Sequence, residues 1–66
     1  MRRVWMIEHA SSPASAPKLL AEDHDEVLFW TVDATDALRF TDKHLAERFA
    51  MHRMTVPVCI VDRLEG

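Results

Sequence analysis

Hydrophobic positions come in four bursts along the chain, separated by small or charged residues. The first, Val4-Trp5-Met6-Ile7, sits within Arg3–His9 and predicts a strand with both faces partly covered, because a continuous apolar run has no solvent side. Residues 10–17, Ala-Ser-Ser-Pro-Ala-Ser-Ala-Pro, predict a mobile loop: Pro13 and Pro17 remove backbone donors and the serines offer local turns. Lys18 to Ala21 predicts a short second strand. Val27 to Val32, Val-Leu-Phe-Trp-Thr-Val, is the strongest strand signal in the chain. Between them Glu22-Asp23-His24-Asp25-Glu26 is too charged to bury, so the two strands read as a β-hairpin with an acidic tip.

After the hairpin the period changes. Asp33 is placed to cap a helix start and Asp36 to lie in its first turn, where the helix dipole favours negative charge. A short helical segment would carry Ala37 and Phe40 inward. Thr41 or Asp42 restarts the helix, and Leu45, Ala46, Phe49, Ala50 and Arg53/Met54 follow the i, i+3, i+4 spacing of one apolar stripe. Thr55 to Leu64 predicts a last strand. Pro57 cannot donate to a ladder and belongs at its start or on an edge. Val56, Val58 and Ile60 point one way, Cys59 and Val61 the other. The expected fold is α+β: a small, mostly antiparallel sheet with elements in the order β-β-β-α-β and one helical layer on one face. The other face would be open, yet apolar in places, which implies either a closed, curled sheet or a patch for a partner.

Length makes this a single domain, residues 1–66, small enough for its core to be marginal. Cys59 is the only cysteine, so no intrachain disulfide forms and a reducing, cytoplasmic compartment is expected. The apolar run at the N-terminus stops at Glu8, short of a signal-peptide core, and no segment has the length of a membrane span. Charge changes the picture more. From Glu22 to Asp42 there are seven acids and a single base, Arg39, a net −6; the rest of the chain carries four acids and seven bases, +3. That distribution argues against direct nucleic-acid binding through the middle of the chain and suits a basic protein surface.

Candidate chemistry is sparse. His24 among Glu22, Asp23, Asp25 and Glu26 has neither the spacing nor the glycine of a calcium loop. His44 and His52 lie two helical turns apart, and no paired Cys/His spacing suggests zinc. Cys59, between Val58 and Ile60, reads as a small hydrophobe in the core or on a sheet face. The lone glycine, Gly66, leaves no phosphate-cradling loop. No catalytic residue, cofactor or metal is expected. Trp30 reads as a lid on the core, and Trp5 as an anchor on the open sheet face.

Trp30, Thr31, Asp33, Ala37, Phe40 and Ala46 form the pattern Trp-Thr-x-Asp-x3-Ala-x2-Phe-x5-Ala. It resembles a loose group of small phage- and prophage-encoded proteins, mostly of unknown function, and in size and composition the chain is similar to some anti-CRISPR proteins. The resemblance implies a protein that works in a bacterial host cell by binding and blocking a host protein, a CRISPR effector subunit among the candidates. With the charge distribution, it makes Glu22, Asp23, Asp25, Glu26, Asp33 and Asp36 the expected partner-binding residues, on a monomer or weak dimer that needs no cofactor and acts by mimicking nucleic-acid charge. The alternative is a structural or regulatory interaction module, a dimer joined through the open sheet face or the last strand with Trp5, Cys59 and Val61 at the contact.

Overall fold

The computed structural model describes residues 1–66. Strands β1 (Arg2–His9), β2 (Leu19–Glu22) and β3 (Leu28–Thr31) precede helix α1 (Lys43–Arg53), and β4 (Val58–Glu65) follows it. The four strands form one antiparallel sheet in the order β3-β2-β1-β4, and α1 packs on one face, an α+β architecture. β1 and β4 pair residue for residue along their whole length, Arg2 with Glu65 through to His9 with Val58. β1 and β2 pair only at Glu8–Leu19 and then separate.

That separation organises the rest. Beyond Leu19 the two strands no longer bond each other, so the backbone groups of Leu20 and Trp5 need other partners, and buried backbone groups must be bonded. The segment Ala37–Phe40 fills the gap. Leu38 N–H donates to the Leu20 carbonyl, and Trp5 and Phe40 exchange both backbone bonds, each at 2.9 Å. Ala37 bridges Ala21. Residues 33–40 are therefore not the short helix their caps predict. Asp33 opens a turn instead: Asp36 N–H donates to the Asp33 carbonyl and Ala37 N–H to that of Ala34. Tertiary demand for donors and acceptors overrides a weak helical preference.

This turn also corrects the expectation of an open second face. Ala34 and the buried Ala37 pack on Met6, Leu19 and Val61, giving a small core opposite the helix. Arg39 holds the turn down. Its Nε donates to Glu65 Oε1 and Oε2 at 2.8 and 3.1 Å, Nη1 to the carbonyls of Ala37 and Thr35 at 3.0 and 3.3 Å, and Nη2 to that of Ala34 at 2.8 Å. The one base in the acidic band thus ties the turn to the end of β4.

The larger core lies under α1. Ile7, Leu20 and Ala46 are fully buried there, and Trp5, Trp30, Phe40, Phe49, Met54 and Ile60 pack around them. Trp5 belongs to this core and not to the opposite face, because it shares strand parity with Ile7. Trp30 sits at the core's margin with the His9 ring edge-on, 4.9 Å between centroids. Asp42 caps the helix, its Oδ1 accepting the His44 N–H at 2.7 Å. The helix stops at Met54, which is extended; β-branched Thr55 and Val56 and then Pro57 disfavour continuation. Ala46, Phe49 and Ala50 form the buried stripe as expected, but Leu45 flanks it and is half exposed. Lys43 and Glu47 form no ion pair; Glu47 lies 3.8 Å from His44 on the exposed face. No helix is long and apolar enough to cross a membrane.

Candidate functional site

The acidic tip closes without glycine. Asp23 N–H donates to the Val27 carbonyl and Glu26 N–H to the Asp23 carbonyl, each at 3.0 Å. A turn of this length usually ends in a residue with positive φ. Here that residue is Glu26, with φ 64°, a conformation that costs a side-chain-bearing residue about 1 kcal/mol. Asp23 compensates: its Oδ1 accepts the N–H groups of Asp25 and Val27 at 2.8 and 2.9 Å. One carboxylate of the cluster therefore builds the turn that presents the others.

Asp25 and Glu26 project into solvent, and Glu22 is half exposed at the end of β2. His24 Nε2 lies 3.5 Å from Asp25 Oδ2, both highly exposed, and no three potential metal-ligating side chains converge. The bridge between Ala21 and Ala37, extended by one residue, sets exposed Asp36 alongside Glu22. Asp33 is elsewhere. It follows the opposite end of β3, its N–H donating to the Thr31 hydroxyl at 3.0 Å. Its Oδ1 accepts the Thr35 hydroxyl at 2.7 Å and the Thr35 N–H at 3.0 Å, and these two bonds hold its carboxyl below the usual range. Of the six residues expected to bind a partner, Glu22, Asp23, Asp25, Glu26 and Asp36 thus share one region and Asp33 does not. Asp42 serves the helix as its cap.

Two further residues join the acidic end that charge alone did not indicate. Val27, just before the outer strand β3, is 56% exposed, and Phe29 on that strand 42%. Phe29 faces away from the helix, because Leu28 and Trp30 occupy the inward positions. The alternation inside Val27–Val32 carries that signal once the hairpin is recognised. Beside them a groove of about 270 Å³ runs between the strand and the helix C-terminus, lined by Leu28, Phe29, Trp30, Arg53, Met54 and Val56 among others. The surface combines solvent-facing carboxylates with an exposed aromatic edge. It can accept bonds from lysines and arginines and bury apolar stems against Phe29. It holds no nucleophile paired with a base.

No protein-family model matches the chain, and neither a curated protein nor a solved structure matches it.

Proposed function

We propose that this chain is a non-catalytic inhibitor that binds a basic, nucleic-acid-binding surface of a bacterial host protein and blocks access to nucleic acid. The observation that carries the reading is the hairpin tip. Glu22, Asp25 and Glu26 reach solvent from a turn that Asp23 holds in place, so the charges are presented without being free to collapse onto neighbouring bases. Pre-ordered charge loses less entropy on binding and steers a basic partner at long range. Asp36 adds a further carboxylate beside Glu22 and Phe29 an apolar contact. The class of target, a CRISPR effector subunit met in the bacterial cytoplasm, comes from the resemblance to small phage proteins.

The test is competition. Purified effector complexes are titrated with the chain and their nucleic-acid binding is measured at several salt concentrations. The expected result is displacement that weakens as salt rises. Reversing Asp25 and Glu26 to lysine, with Asp23 kept, should lower affinity by at least about tenfold while the fold persists. Equal inhibition by that variant overturns the reading.

A further inference from the structure

The edge of the sheet furthest from the acidic hairpin carries a second message. β4 is an outer strand of eight residues, paired one-to-one with β1 and free of bulges. Its first four residues, Val58-Cys59-Ile60-Val61, have no charge and no proline. Those are the devices by which sheet edges ordinarily avoid pairing with other chains.

Hydrogen-bond parity fixes what this edge offers. Trp5 exchanges both of its backbone bonds with Phe40, and His9 donates to Lys18, so the odd residues of β1 face β2. Alternate residues of a strand aim their groups to opposite sides. The even residues Arg2, Val4, Met6 and Glu8 therefore bond to Glu65, Arg63, Val61 and Cys59. Val58, Ile60, Asp62 and Leu64 are left with N–H and C=O groups pointing outward along the free edge.

The strand is also complementary to itself. A twofold axis through two antiparallel edges must match like sheet faces, so it centres on one residue. Centres at Asp62 or Arg63 put like charges opposite each other. A centre at Val61 sets Ile60 against an aspartate, and one at Cys59 leaves only Val58 and Ile60 bonded. A centre at Ile60 keeps like charges apart and the middle of the contact apolar, with Val58 against Asp62 only at its two ends. Ile60 meets Ile60 of the second copy, Cys59 meets Val61 on the face away from the helix, and Val58, Ile60 and Asp62 all find backbone partners. We propose that two copies of this chain join through β4 about a twofold axis at Ile60, forming a continuous eight-stranded sheet. Both helices then lie on one face. The two acidic hairpins occupy the outer margins, seven strand spacings or about 34 Å apart, as two separate binding ends. The pairing does not depend on what the acidic tip binds.

Cysteine cross-linking reads the register. Directly opposed residues lie within disulfide reach, whereas the two Cys59 residues sit on a diagonal about 8 Å apart, beyond it. Under mild oxidation Val61→Cys should form a covalent dimer through its new thiol and Cys59 of the second copy, while the wild-type chain should not cross-link. In sedimentation the wild-type chain should pass from monomer to dimer as concentration rises. Cys59→Lys, at an exposed position opposite Glu8 where the new ammonium finds a carboxylate, should stay monomeric with an unchanged circular dichroism spectrum. A wild-type chain that is monomeric at every concentration overturns the proposal. So does a Cys59–Cys59 bridge, or the open-ended polymer that β3-to-β4 pairing would give.

Discussion

The two outer strands of this sheet are built on opposite terms. β3 is four residues long, with the acidic tip before it and Asp33 beyond its far end, and it exposes Phe29 beside the exposed Val27 that precedes it. β4 is twice as long and neutral over its first half, and its charges gather at its end, where Asp62 pairs with Arg3 and Glu65 with Arg39. Flanking carboxylates disfavour a second copy at β3 and suit the basic partner proposed for the tip. β4 lacks that guard and matches itself. One small sheet can thus keep its two edges for different partners, because charge at the ends of a strand decides what may pair along it.

The largest expected effect removes the platform both edges share. Ile7 is fully buried between the helix and the sheet, and Ile7→Ala should cost about 2–5 kcal/mol in urea denaturation, enough to threaten a domain of this size. Both edges should lose amide protection together; retention at one alone would mean that they are stabilised separately.

Arg39→Ala comes next and acts on one side only. It releases the 33–39 turn and the end of β4 while leaving the hairpin tip intact, and should lower Tm by roughly 5–10 °C. It should also change the response to acid. The Arg39 guanidinium holds the Glu65 carboxyl below its ordinary value of 4.5, so this pair contributes stability above about that pH. The contribution is lost as pH falls through the lower folded value. Thermal melts should show that acid-side loss in the wild-type chain and a flatter profile in Arg39→Ala.

The smallest effects lie in the tip. Asp23→Ala strips the acceptor from two turn amides and should cost about 1 kcal/mol. Glu26→Gly relieves the positive φ and should gain about 0.5–1 kcal/mol while removing one carboxylate. Opposite signs in denaturation, with partner binding weakened in both, would separate the charge of the tip from its stability.

Most of the architecture is legible in the sequence. Four apolar runs become four strands within a few residues, and Asp42 with the Ala46–Phe49–Ala50 stripe gives the helix. Residues 33–40 are not legible, because Asp33 and Asp42 carry the same local capping signal. Only the separation of β1 and β2 assigns one to a turn and the other to a helix, and that depends on contacts far apart in the chain. The same separation hides the role of Arg39, whose acceptors are carbonyls of a turn and a carboxylate 26 residues away. At the tip, composition reveals the exposed acids, but not that Asp23 is occupied with the backbone. Cys59 is on a sheet face as its neighbours imply, yet exposed, because the covering turn reaches Val61 and stops short of it.

Amide hydrogen exchange measured at low and high protein concentration tests the contrast between the edges most directly. The prediction is that the Val58, Ile60 and Asp62 amides, which have no partner within one chain, become protected as concentration rises, while the outward amides of β3 exchange equally fast throughout. Unchanged exchange along β4, or protection that appears along β3 instead, would contradict it.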